Sequence, residues 1–400
     1  MYIFSVTEFL FSEPIASQSL TRNASEPPIR MKFTVNSSQL NSGLSAVVGA
    51  VPGKATLPIL ETILFTLDGN TLKLTATDLE IAMIQTLDVD GQEPGSVSVP
   101  AKRLLETLRQ LPDTPLTFAV DDQQSITFST DKGTYKLVGE SGDDFPGVPD
   151  LTDGTTLTCE SEVLKKAVQK TLFAVSNDDL RPAMMGVFFT VTAEGTTFVA
   201  TDGHRLVKYH DSGLTSSDTL TFIVPEKALN QVLKSIHSDA SSISVSDSHV
   251  IFEHGDTVVI SRLINEQYPN YESVIPKDND KTLFIDRETL LSTVKRVSVF
   301  SSTTTRQIRL QLGDNSVVLR AEDLDLSSEA KESLACDYDG ETMEIGFNAR
   351  YLGDVLSNID HEQVRFEFST PNRAGIVKPA TEEDGRSLLM LVMPVMLNTY

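Results

Sequence analysis

One pattern, an apolar strand running into a small residue and then an acid, occurs three times in this chain. It ends at Asp78 in residues 72–79, at Asp202 in residues 199–206 and at Asp323 in residues 317–324. The three acids are 124 and 121 residues apart. Other landmarks keep the same period. Pro100, Pro225 and Asn348 are spaced by 125 and 123 residues, and Leu40, Leu164 and Leu290 by 124 and 126. Phe145-Pro146, Tyr268-Pro269 and Met393-Pro394 close the three units, 123 and 125 residues apart. Four independent markers in step define three copies of one unit. The period is far longer than that of a solenoid repeat, so each copy is expected to close its own core. The expected layout is an extension at 1–30 and domains at 31–150, 151–278 and 279–400.

Each unit reads in the same order. Short strands at 32–35, 156–159 and 282–285 lead into amphipathic helices at about 37–50, 161–175 and 287–300. Leu40, Leu44 and Val47 recur at helical spacing, as do Leu164, Val168 and Leu172. Asp286, just before Arg287-Glu288, has the character of an N-cap. Alternating strands follow, hinged on turns at Asp68-Gly69-Asn70, Glu194-Gly195 and Gly313-Asp314-Asn315. A second helix begins after Pro100, Pro225 and Asn348, and more strands finish each unit. The expected class is α+β: three repeated domains, each with two helices packed on antiparallel sheets.

The net charge is −23, with a pI near 4.6. Taken as a whole this argues against nucleic acid, whose affinity comes largely from phosphate neutralisation by Lys and Arg. The distribution reverses that argument. Six helical windows (37–50, 101–111, 161–175, 225–236, 287–300 and 348–359) together carry +7, which leaves −30 for the rest. Helices that face one way would make a basic surface inside an acidic body. Lys102, Arg103, Lys165, Lys166, Lys295 and Arg296 carry that surface, and taken singly each reads equally as a solvated helix face.

Little in the sequence suggests catalysis. Asp202, His204 and Arg205 could form an acid–base or metal site, but no second His or carboxylate stands at ligand spacing. The turn acid recurs in all three units, which favours strand-end geometry, and Gly203 suggests a turn with positive φ. Cys159 and Cys336 lie in different repeats and form neither a disulfide framework nor a metal pattern; they read as ordinary thiols of a cytosolic protein. Nucleophile motifs and glycine-rich phosphate loops are missing. No metal or cofactor is expected. The first residues, Met1-Tyr2-Ile3-Phe4, are apolar, but Glu8 interrupts them and no basic segment precedes, so a signal peptide is not expected. Residues 17–28 read as disordered, and Met31 begins the first repeat.

With these markers in hand, Thr56-Leu57-Pro58-Ile59-Leu60, Ala200-Thr201-Asp202-Gly203-His204-Arg205-Leu206, Tyr268-Pro269-Asn270-Tyr271 and Val392-Met393-Pro394 resemble the bacterial DNA sliding clamp, the beta subunit of DNA polymerase III. The resemblance runs from Met31 to Leu397. It implies a non-catalytic processivity factor: a head-to-tail homodimeric ring, helices inward, around duplex DNA held without sequence preference. The implied partners are a second copy, the polymerase III catalytic subunit, the clamp loader, and other polymerases and repair proteins, all in the cytoplasm. Lys54, Lys102, Arg103, Arg109, Lys165, Lys166, Lys295 and Arg296 would meet phosphates. Arg181 would join them from a loop that carries Asp178 and Asp179 where the family often has polar or aromatic residues. Tyr135 and Leu137 of one copy would meet Val299 and Phe300 of the other. A partner-peptide pocket is implied between the second and third domains. Its walls would be Met184, Thr201, Gly203, His204, Arg205, Leu206, Pro269, Val274, Asn348, Tyr351, Ala374, Leu391, Val392, Met393, Pro394 and Val395, with Arg205 donating to the peptide and Gly203 letting its backbone approach. Residues 398–400 run past the family's usual end, and Met396 stands where a basic residue is common. An acidic scaffold that binds only proteins, and a hydrolase using Asp202 and His204, remain open alternatives.

Overall fold

The computed structural model describes residues 28–149 and 154–397. The expected disorder of the first residues and the extra C-terminal residues 398–400 lie outside that range, apart from Pro28.

The first repeat contains β1 (Ile29–Asn36), α1 (Ser37–Val47), β2 (Thr62–Asp68), β3 (Thr71–Thr77), β4 (Ile81–Asp88), β5 (Asp90–Glu93) and β6 (Gly95–Pro100). It continues with α2 (Ala101–Leu108), β7 (Pro115–Asp121), β8 (Ser125–Ser129), β9 (Thr134–Val138) and β10 (Glu140–Ser141). The second contains β11 (Thr155–Glu160), α3 (Ser161–Thr171), β12 (Gly186–Thr192), β13 (Gly195–Thr201), β14 (Arg205–Asp211) and β15 (Leu220–Pro225). Its second half is α4 (Glu226–Ser235), β16 (Ala240–Val245), β17 (His249–His254) and β18 (Thr257–Arg262). The third contains β19 (Lys281–Asp286), α5 (Arg287–Ser298), β20 (Gln307–Gly313), β21 (Ser316–Asp323), β22 (Ser328–Ala335), β23 (Asp337–Asp339) and β24 (Met343–Asn348). It ends with α6 (Ala349–Ser357), β25 (Gln363–Phe368), β26 (Gly375–Pro379), β27 (Arg386–Val392) and β28 (Pro394–Val395).

The strands form four antiparallel sheets, and two of them run through domain boundaries. One nine-stranded sheet joins the first and second repeats where β4 pairs with β18. The other joins the second and third where β14 pairs with β27. The two five-stranded sheets lie at the ends, with β9 at one edge of the first and β22 at one edge of the other. No strand among the described residues covers these two edges.

Local chemistry explains the element ends. The Asp286 carboxylate caps α5 by accepting the Thr289 amide at 2.8 Å, and Asn348 caps α6 through the Arg350 amide. Pro100 and Pro225 stand at the N-cap of α2 and α4 with φ of −56° and −58°, the value their ring imposes. The 37–50 and 161–175 expectations overshoot. Both helices tighten into 3₁₀ turns at Val48–Ala50 and Leu172–Ala174, a frequent way for a helix to end. The first strand begins before the expected 32–35: Ile29 already pairs with Asp121.

Each domain core is built mainly of apolar side chains. In the first, Phe33, Phe65 and Phe128 surround Phe118 at centroid distances of 5.0, 5.3 and 6.4 Å, and Phe128 stacks on Tyr135 at 5.0 Å. The stack therefore runs from the core out to the edge strand, and it adds to the burial of the rings. In the second domain a buried polar chain links Ser161 Oγ to Ser241 Oγ at 2.6 Å and Ser241 Oγ to His254 Nδ1 at 2.8 Å. The His254 ring is 3% exposed and its Nε2 has no partner. Burial pushes its pKa down from 6.5 to about 4. An unfolded histidine takes a proton near 6.5, so stability is full above that pH and is lost as pH falls toward 4. The loss amounts to about 3 kcal/mol at the acid end. His254→Gln should remove most of this dependence, checked by urea midpoints between pH 4 and 7.

Candidate functional site

The recurring acid serves as a turn brace in all three repeats. Asp78 Oδ1 accepts the amides of Glu80 and Ile81, Asp202 Oδ1 those of His204 and Arg205, and Asp323 Oδ1 those of Asp325 and Leu326. In the first two repeats the second oxygen binds a cation. Asp78 Oδ2 takes Lys227 from α4, across the boundary between the first and second domains. Asp202 Oδ2 takes Arg205 at 3.1 Å. Both Asp202 oxygens are thus occupied, and the His204 ring stacks on Tyr351 at 5.4 Å. Neither group is placed to act on a substrate. Among the described residues no cluster of three His, Cys, Asp or Glu is arranged to hold a metal.

Arg205 departs from its expected role. Its side chain is 8% exposed, and its Nη1 donates to Asp354 of α6 while Nη2 donates to the Phe173 carbonyl at 2.6 Å. The guanidinium also lies 5.2 and 5.0 Å from the Phe173 and Tyr351 ring centroids. With three of its five N–H groups engaged in this way, Arg205 fastens the second domain to the third. Gly203 has φ +88°, a conformation that favours glycine. Its counterpart in the first repeat, Leu79, is held at φ +77°, while Leu324 in the third has no positive φ, so the left-handed backbone belongs to the first two turns.

Beside this turn runs a groove of about 610 Å³. Of the expected walls, Met184, Thr201, Gly203, Arg205, Leu206, Pro269, Val274, Ala374, Leu391 and Met393 line it. His204, Asn348, Tyr351, Val392, Pro394 and Val395 do not. Val392 is 1% exposed in the core, and Pro394 and Val395 pair with Phe347 and Gly346 as the two-residue β28. The floor is a small separate core of Val199, Leu206, Ile223, Tyr268, Ala374 and Leu391. Phe188 stacks on Tyr268 at 4.8 Å, and burial pushes the Tyr268 phenol up.

One wall was missed in the sequence. The segment between the domains contributes Asn270, Tyr271, Ser273, Ile275, Pro276, Lys277 and Asp278, and the opposite rim contributes Asn372 and Arg373. Lys208 of β14 pins this segment through Glu272 and lies 5.8 Å from the Tyr271 ring centroid. Arg373 closes on Asp278 at 2.6 Å. Two prolines, Pro269 and Pro276, bracketing Tyr271, Val274 and Ile275 were the available signal.

The expected phosphate contacts separate into two groups. Lys166 pairs with Glu383 at 3.0 Å, Lys165 with Glu162 at 3.4 Å, Arg181 with Asp178 at 2.8 Å and Arg296 with Glu332 at 2.7 Å. Backbone donation from Leu180 and then Arg181 hold the Asp178 carboxyl below its ordinary range. Lys54, Lys102, Arg103, Arg109 and Lys295 have no carboxylate within 4 Å among the described residues.

Three α+β repeats joined edge to edge through continuous sheets, with a peptide-sized groove at one join, define the clamp class of DNA-replication proteins. Family models bear this out for each repeat. Residues 31–149 match the DNA polymerase III beta subunit N-terminal domain, 158–270 its central domain and 272–394 its C-terminal domain. The beta sliding clamp of Pseudomonas putida is 31% identical over 364 residues, covering 90% of this chain and 99% of that protein. That of a Synechocystis strain is 32% identical over 393 residues, covering 92% and 100%. A solved Pseudomonas aeruginosa sliding clamp, bound to griselimycin, superimposes with a TM-score of 0.87 at 31% identity over 92% of this chain and 100% of that one. The chain belongs to the beta sliding clamp family, the beta subunits of DNA polymerase III. It is a non-catalytic processivity factor of DNA replication. Among the described residues no helix is long and apolar enough to cross a membrane.

Proposed function

We propose that two copies close head to tail into a ring around duplex DNA, in the cytoplasm, and that the groove beside Gly203 holds peptides of the polymerase III catalytic subunit, the clamp loader, and other polymerases and repair proteins. The observation that carries the ring is the pair of uncovered edges. Both domain boundaries inside the chain are closed by strand pairing, and β9 and β22 are the corresponding strands left over. Edge strands are natural pairing surfaces. Two such contacts, related by a two-fold axis, close a ring of six domains. Exposed side chains support the same surface: Val299 is 79% exposed and Phe300 40% at the end of α5, while Tyr135 and Leu137 are only partly buried on β9.

Within the ring Lys54, Lys102, Arg103, Arg109 and Lys295 are the stronger candidates for phosphate contacts. Lys165, Lys166, Arg181 and Arg296 must share their charge with carboxylates. Binding of short linear duplex is therefore weak and salt-sensitive. The ring is tested by Phe300→Arg. A charge buried in an apolar contact is costly, so sedimentation at micromolar concentration should give monomers of native fold. A variant that stays dimeric would place the contact elsewhere.

A further inference from the structure

An apolar floor accepts many apolar side chains, so selectivity in the groove beside Gly203 falls to the polar groups at its rim. Four charged residues line it: Arg205, Lys277, Asp278 and Arg373. Arg205 is buried in the junction, where it binds Asp202 and Asp354. Lys277, Asp278 and Arg373 are exposed and stand side by side. They amount to two cations and one carboxylate, on a chain whose net charge is −23.

The backbone ties this rim to the end of β25. Thr370 to Arg373 form a turn in which the Arg373 amide donates to the Thr370 carbonyl at 3.1 Å, and Pro371 at its second position presets the bend. On the other branch the Asn279 side-chain amide donates to the Glu367 carbonyl at 3.0 Å, and the Asp280 amide to the Phe368 carbonyl at 3.0 Å. Asp278 and Arg373 are therefore both presented from backbone held at one strand end.

Asp278 engages only one corner of the Arg373 guanidinium. Nη1 donates to both carboxylate oxygens, at 2.5 and 2.6 Å. Nε and Nη2 donate to no group among the described residues, and the side chain is 53% exposed. The parallel N–H groups of that edge are the ones that grip a carboxylate with two bonds. Lys277 also forms no ion pair among the described residues. Two cations beside an apolar floor complement a ligand that brings a carboxylate and apolar side chains together. A phosphate backbone has no use for the floor.

We infer that the groove selects peptides carrying an acidic side chain next to the apolar residues seated on its floor, with Arg373 gripping the carboxylate through its open edge and Lys277 adding a second attraction. This rests on the peptide-groove reading proposed above and deepens it by naming the charge its peptides carry and the two residues that read it.

The test uses the full chain and calorimetry. The probe is the groove-binding peptide of the polymerase III catalytic subunit, amidated at its C-terminus, with each residue flanking its apolar anchors made Glu and then Gln in turn. At one position the Glu peptide should bind about threefold to fivefold more tightly than its Gln twin, the scale of a partly exposed charge pair. The ratio should fall toward one at about 0.5 M salt. Arg373→Gln should bind the Gln peptide as the parent protein does and lose the preference, and Arg373→Lys should restore only part of it, because an ammonium cannot form the two parallel bonds. Lys277→Gln should lower the ratio. Both residues are exposed, so these variants should keep the native fold. A ratio of one at every position, or a preference that survives Arg373→Gln, would overturn the inference and leave the groove standing. So would a preference seen only for a free C-terminal carboxylate over the amide. Failure of every peptide to bind, the Gln forms included, would instead strike down the groove itself and the inference with it.

Discussion

Arg205→Ala should cost about 3 kcal/mol of stability and release the third domain from the second. The side chain supplies three hydrogen bonds and two aromatic contacts to one junction. Its removal leaves the carboxylate of Asp202, whose side chain is 14% exposed, without a counter-charge. Breaking a buried pair from one side typically costs 3–5 kcal/mol. The lower end applies here because Asp354, 37% exposed, can still be hydrated. Arg205→Lys should recover little, since an ammonium cannot span Asp202, Asp354 and the Phe173 carbonyl together. Chemical denaturation monitored by hydrogen exchange checks this. Early loss of protection in β27, with β16 and β17 still protected, is the expected pattern. Cooperative unfolding at the native midpoint would show that the network contributes little.

The second large effect is expected in the groove. Val274 is 54% exposed, so Val274→Asp should fold normally. It would, however, set a carboxylate in a groove floored by Leu206, Ala374, Leu391 and Tyr268. A buried charge without a partner costs several kcal/mol, so affinity for a polymerase-derived peptide should fall about a hundredfold or more, equivalent to about 2.7 kcal/mol. Removing residues from Met393 onward should abolish binding, because Met393 lines the groove at 40% exposure. That deletion also strips β28 from the edge opposite β22, so the dimer should survive. Calorimetry with the same peptide reads both variants. Normal binding to Val274→Asp would move the site away from this groove.

The architecture was legible because it repeats. The period in Asp78, Asp202 and Asp323 gave the domain count, and alternation gave the strands. The role of the turn acid also followed, since its amide partners lie two and three residues away in the chain. Contacts between remote residues could not be read in this way. Nothing near Arg205 announces Asp354, 149 residues on, and nothing near Lys166 announces Glu383. Four of the nine expected cations are paired, Lys166 and Arg296 with remote carboxylates and Lys165 and Arg181 with acids three residues away. The segment around Tyr271 carries no periodic pattern, and it becomes a wall only because Lys208 and Arg373 hold it over the small core. His204 and Tyr351, expected in the groove, stack beside it as part of the same junction.

In the proposed ring the protein holds DNA by enclosing it. The most direct measurement loads the protein onto nicked circular duplex with the clamp loader, passes the complex through a sizing column at moderate salt, and then cuts the circle once. The protein should travel with the intact circle and leave it after linearisation, with Phe300→Arg failing to load at all. Retention on the cut DNA, or no retention on the circle, would contradict enclosure and favour a scaffold that binds proteins alone.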